Sequence, residues 1–144
     1  EYYVDVNDVE NIIDPLFELL HLKIDQYSDF TSISNIISIF VELTNILPIL
    51  IKRFYNNGLF EFALKSITVP ELTKSCINLI GNLPASSSLT FTQNMINLGL
   101  FDKLMELIQN AEFTSDVFWV LSNFLDVISQ CVIPLITSEL IYNV

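Results

Sequence analysis

Hydrophobic positions along this chain recur at spacings of three and four residues, and no segment alternates with period two over any length. That pattern predicts helices and no sheet. Turn signals divide it into helices of about 10–18 residues. Asp14-Pro15 reads as a cap followed by proline at the first helical position, opening a helix that runs to about Leu22. A second helix is expected from near Gln26 past Asn35, and Pro48 opens a short piece that stops at Asn56-Asn57-Gly58. Gly58 to Ile67 reads as helical again. Thr68-Val69-Pro70-Glu71 starts a helix that ends at Pro84-Ala85-Ser86-Ser87-Ser88. Residues 89–97, Leu100–Asn110 and Phe113 to about Gln130 follow, with Pro134 beginning a last short helix.

The longer helices are apolar around most of their circumference. At 100° per residue, Asp116, Trp119, Asn123 and Asp126 fall within an arc of about 80°, and Val117, Phe118, Val120, Leu121, Phe124, Leu125 and Ile128 occupy much of the rest. Glu71, Ser75, Asn78 and Asn82 form a similar stripe, backed by Cys76, Leu79 and Ile80. Ser28, Thr31, Asn35 and Ser38 form a third, against Ile33, Ile36 and Ile37. A helix packed on most sides is the inner layer of a stack, so its narrow polar stripe is expected to face water along a concave surface.

The text itself repeats. Gly58-Leu59-Phe60-Glu61 matches Gly99-Leu100-Phe101-Asp102, and Gly81-Asn82 matches Ser122-Asn123, both at a shift of 41. Asp14-Pro15-Leu16-Phe17 resembles Asp102-Lys103-Leu104-Met105, and Ser34-Asn35 matches Ser122-Asn123, both at a shift of 88. The first unit is then 47 residues and the second 41. An all-helical period of this size belongs to two- and three-helix solenoids.

Composition sets bounds. Half of the 144 residues are hydrophobic (51 %) with few glycines and prolines, so a sizeable core is available and disorder is excluded. Seventeen acids against six bases give a net charge of −11, with nine acids and the single base Lys23 in residues 1–50. Such a field repels nucleic acid and anionic lipid and attracts cationic partners. It also serves simply to keep an apolar chain soluble. Cys76 and Cys131, each in an apolar helical stretch, read as buried free thiols of a reducing compartment. No signal peptide is visible, and a start at Glu1 suggests a piece of a longer protein. Phe30–Ile51 is long enough to span a bilayer, yet Ser32, Ser34, Asn35, Glu42, Asn45 and Pro48 interrupt it. No membrane span is expected.

Nothing selects a catalytic centre. One histidine, His21, and two distant cysteines supply no zinc set. There is no phosphate loop or nucleophile elbow, and Asp5, Asp8 and Glu10 lack the glycine turn of a calcium loop. Those three read as first-turn acids or a solvated tail. We expect no enzyme and no cofactor.

Trp119-Val120-Leu121-Ser122-Asn123 resembles the inner-helix pattern of armadillo repeats, most specifically those of importin-alpha. The second unit keeps the asparagine with Asn78 in the tryptophan's place, and the first keeps Ser34-Asn35 with Thr31 there. The resemblance implies an all-α, right-handed α-solenoid of about three armadillo-type repeats over 1–144, with repeats at about 12–58, 59–99 and 100–144. It also implies a protein-binding adaptor of cytoplasm and nucleus, whose groove holds an extended, basic peptide of the nuclear-localisation-signal type. The peptide-binding residues would be Asn35, Asn82, Asn123, Trp119, Asn78, Thr31, Asp116, Asp126 and Glu71. The chemistry can be put independently of the family. One carboxamide satisfies a peptide N–H and C=O together, and helices about 8–10 Å apart offer one such group every two to three residues of an extended chain.

Each residue also has a structural alternative. The three amides could bond carbonyls of neighbouring helices, Trp119 could pack between repeats, and the acids could be solvated. A scaffold for a non-basic partner and a membrane-associated helical protein are the competing functional readings. The apolar end, Cys131 to Ile136, calls for either a following repeat or a second copy.

Overall fold

The computed structural model describes residues 3–25 and 29–142. Within them the fold is all-helical: α1 (Val6–Asp25), α2 (Phe30–Ile46), α3 (Ile51–Asn56), α4 (Leu59–Ser66), α5 (Thr73–Asn82), α6 (Leu89–Asn97), α7 (Leu100–Leu107) and α8 (Thr114–Tyr142). Two 3-10 turns, Pro48–Leu50 and Leu83–Ser86, lead into α3 and towards α6. The expected start near Gln26, and Ser28 of the first polar stripe, lie outside the described residues. So does the side chain of Cys131.

Two expected boundaries move. The first helix does not open at Asp14-Pro15 but at Val6, where two carboxylates take up free backbone amides. The Asn7 amide donates to Asp5 Oδ1 (2.9 Å) and the Asp5 amide to Asp8 Oδ2 (2.7 Å). These acids thus cap the helix start, and Pro15 is carried inside α1. At the other end, α8 passes through Pro134 and continues to Tyr142 as one helix of 29 residues.

The middle of the chain repeats its local structure. Gly58 and Gly99 both sit in the left-handed region (φ 83° and 95°), which glycine adopts without steric cost. Each starts a helix of eight residues, α4 and α7. The turn after each helix is then pinned in the same way. Thr73 Oγ1 donates to the carbonyls of Ile67 (2.7 Å) and Val69 (3.0 Å). Thr114 Oγ1 donates to those of Ile108 (3.1 Å) and Asn110 (3.2 Å), the residues 41 positions on.

Helix α5 is the middle layer, packed on α2 on one side and α8 on the other. Cys76, Ile77, Leu79 and Ile80 are fully buried, so the helix touches neighbours almost all round. At the α1 end, Phe17, Phe40 and Phe54 meet with ring centroids 4.8–5.8 Å apart and join α1, α2 and α3. Tyr55 stacks on Phe91 at 4.0 Å and joins α3 to α6. Arg53 clamps α3 to α1 through Glu10 (2.7 Å) and Asp14 (3.0 Å). No single described helix is long and apolar enough to cross a membrane; α2 and the Pro48–Asn56 segment pass only as a pair bent by 118°.

Candidate functional site

The polar stripe of the middle layer splits in two. Glu71 is exposed and Asn78 half-buried, whereas Ser75 and Asn82 are buried between helices. Asn82, 8 % exposed, donates its amide to Thr44 Oγ1 (2.9 Å) and to the carbonyl of Val41 (3.3 Å). Thr44 in turn donates to the same carbonyl (2.8 Å). Ser75 shares a hydrogen bond with Ser34 (2.7 Å). One step further along the stack, Asn123 donates to the carbonyl of Gly81 (3.0 Å). The amides of Asn82 and Asn123 therefore tie each inner helix to the one before it. A buried polar group left unpaired costs about 1–3 kcal/mol, so both amides hold the layers in register.

That register corrects the expected alignment of the first unit. Ser34 lies opposite Ser75, and Val41 opposite Asn82, both 41 residues apart; Gly81 and Asn123 are 42 apart. Residue 41, not Asn35, is thus level with Asn82. Six residues at 1.5 Å per residue displace Asn35 by about 9 Å along α2. The six extra residues of the first unit fall between Asp14 and Ser32, ahead of the inner helix. Asn35 and Thr31 are exposed on α2, away from the other amides. The groove lined by three level asparagines is not formed.

What is formed is one crevice of about 260 Å³ at the step from α5 to α8. It brings together Asn82, Asn123 and Asp126 of the predicted set with Gly81, Pro84, Ala85 and Val127. The Asn123 amide nitrogen is turned to Gly81, and the residue lines the crevice. Asp126 is exposed, held only by Gln130 Nε2 (3.2 Å) from the next turn. The Asp126 carboxylate is an acceptor, which suits a cationic side chain. Trp119, 41 % exposed, lies across Gly81, itself one of the lining residues. Its ring combines interlayer packing with an open face.

The remaining predicted residues stand apart. Asp116, half-buried, faces the exposed Lys74 across the same interface at 3.9 Å, a long contact of small energetic weight. Glu71 is exposed in the turn before α5. A larger hollow of about 580 Å³ between α1 and α3 is lined by Asp14, Ile49, Lys52, Arg53, Asn56 and Asn57. Its guanidinium is already paired with Glu10 and Asp14, which raise the Arg53 pKa. His21 borders a smaller hollow with Asp14, Phe17, Glu18 and Asn57. Among the described residues no three His, Cys, Asp or Glu side chains are grouped to hold a metal ion.

Sequence reasoning missed the Ser34–Ser75 pair, the Gly81 seat and the Pro84–Ala85 wall. The 41-residue interval was the available signal, because Ser34 and Ser75 share it. No family model, curated protein or solved structure matches this chain.

Proposed function

We propose that this chain is a non-catalytic helical-repeat scaffold, a right-handed α-solenoid of about three armadillo-type units, that binds a protein partner at the α5–α8 crevice. The reading rests on one observation. The crevice is lined by Asn123 and the exposed Asp126, and the 41 % exposed Trp119 lies against its Gly81, within a chain of net charge −11. A lysine or arginine lays its stem on an indole and its charged head on such acceptors. The Trp119–Asn123 resemblance to importin-alpha extends this to basic signal peptides, and so to nuclear import between cytoplasm and nucleus. With Asn82 and Asn123 tied between layers and Asn35 displaced, the peptide is held at one anchor and not along a three-residue ladder.

Titration with a lysine-rich peptide, followed through the fluorescence of the single tryptophan, tests it directly. Binding should weaken as salt is raised, and Asp126→Asn should lower affinity by about tenfold, the effect of a charge-assisted bond of roughly 1.4 kcal/mol. Salt-insensitive binding, or affinity unchanged in Asp126→Asn, overturns the basic-peptide reading. A second reading, a scaffold for a non-basic partner, is favoured by the engagement of Asn82 and Asn123 between layers. Capture of neutral peptides by the same crevice would select it.

A further inference from the structure

Helices α4 and α5 form one layer, and α7 and α8 carry its counterparts 41 positions on. Cys76, Leu79 and Leu83 are buried in the inner layer, and Val117, Val120 and Phe124 are buried in their places in the outer one. A second set behaves differently. Leu64, Ile77 and Pro84 are buried, whereas their counterparts Met105, Phe118 and Leu125 are 55 %, 58 % and 57 % exposed. A change confined to one set of positions means that one side of the layer has lost its cover. Helix α5 has α8 packed on it; no described element covers Met105, Phe118 and Leu125. The three stay apolar all the same, so the interface between α5 and α8 continues one layer out as an open apolar face.

The residues around that face say what fits it. Gly81 admits Trp119 only because it has no side chain. Its counterpart is Ser122, so a layer with tryptophan at that step, as in this chain, does not fit. The charges change as well. Lys65, Lys74 and Ala85 give way to Glu106, Ser115 and Asp126. At the inner step Lys74 faces Asp116 of the arriving helix. At the outer step no base stands in that place, and an exposed acid directly follows both Met105 and Leu125. A second copy, with its net charge of −11, is repelled there.

We infer that the outer face of α7 and α8 receives a basic amphipathic helix of another protein. Its apolar stripe covers Met105, Phe118 and Leu125, a small residue lies over Ser122, and lysines or arginines beside the stripe meet Glu106 and Asp126. The crevice lies on the α5 side of α8, so this face stands whether or not the crevice binds a peptide.

Calorimetric titration with an amphipathic leucine–alanine–lysine helix of about 18 residues, five turns, measures it. The controls are a scrambled peptide of the same composition and a helix with glutamate in place of lysine. The lysine helix should bind, more weakly as salt is raised, and neither control should. Met105→Ser and Phe118→Ser, both at exposed positions, should each lower affinity by about fivefold or more, with the melting temperature unchanged. Glu106→Gln should lower it by about two- to threefold. Ile49→Ser, at an exposed apolar position before α3, should leave it unchanged. No binding, equal binding of either control, or affinity indifferent to both Met105→Ser and Phe118→Ser overturns the inference. So does a dimer of the chain alone that those two substitutions dissolve, which would give the face to a second copy.

Discussion

The indole of Trp119 occupies the space where residue 81 would carry its side chain. A Cβ built on Gly81 meets Trp119 Cζ3 at 2.1 Å and Cη2 at 2.6 Å. Glycine in mid-helix normally costs about 1 kcal/mol relative to alanine, and here the missing side chain is what lets α8 seat on α5. Gly81→Ala should therefore destabilise the chain by about 1–3 kcal/mol, against the usual sign. In a Trp119→Ala background the same substitution should become neutral or stabilising. A double-mutant cycle by chemical denaturation reads the coupling; additive effects would remove the seat from the account.

Burial alone pushes the Cys76 thiol up to about 12. The thiolate is the reactive form, so at neutral pH Cys76 should be silent to alkylating and disulfide reagents. In a Cys131→Ser chain, thiol titration should detect nothing until denaturant is added, and one thiol afterwards. Stoichiometric labelling of the folded variant would contradict the packing of α5.

Helix α2 starts at an acid. Asp29 accepts from the Ser32 amide (3.0 Å) and from its hydroxyl, and those bonds, with Lys23 nearby, hold its pKa below the usual 3.8. A carboxylate depressed in the folded state contributes stability above its unfolded value and loses it as pH falls through the folded one. The thermal advantage of the native chain over Asp29→Ala should be full at neutral pH and shrink below 3.8. An advantage independent of pH would mean that the charged form of the cap is not the source.

The crevice can be filled from within. Ala85 is an exposed residue of its wall, which Asn123 and Asp126 also line. A lysine introduced as Ala85→Lys brings a cation to the Asp126 carboxylate without loss of any core contact. Peptide affinity, measured by the Trp119 signal, should fall at least tenfold while the melting temperature moves by less than about 3 °C, the equivalent of roughly 1 kcal/mol. Undiminished affinity would place the peptide elsewhere.

Helix type and the Gly58 and Gly99 turns were legible because each rests on local rules: apolar spacing, a left-handed glycine, a threonine pinning the turn. Pro15 and Pro134 misled for the opposite reason. Each reads in sequence as a start signal, yet α1 and α8 run through them. At a shift of 41 residues, Gly58 and Gly99 each start a helix of eight residues. The 47-residue shift failed because it matched Ser34-Asn35 by residue identity, although the position level with Asn82 is Val41 and contributes only its carbonyl. A backbone acceptor leaves no trace in a pattern of side chains. The stripe at Glu71, Ser75, Asn78 and Asn82 was real, but amphipathic spacing does not say which of its edges lies under a neighbouring helix.

Alanine substitution of the three amides, with stability and peptide affinity measured on each, tests the central claim most directly. Asn82→Ala should cost about 1–2 kcal/mol of stability, since a buried bridge to Val41 and Thr44 is lost. Asn123→Ala should lower both stability and affinity, because its nitrogen ties Gly81 and the residue lines the crevice. Asn35→Ala should change stability by no more than about 0.5 kcal/mol and leave affinity untouched. Equal losses of affinity at all three positions with stability unchanged would restore a continuous amide ladder and contradict the account.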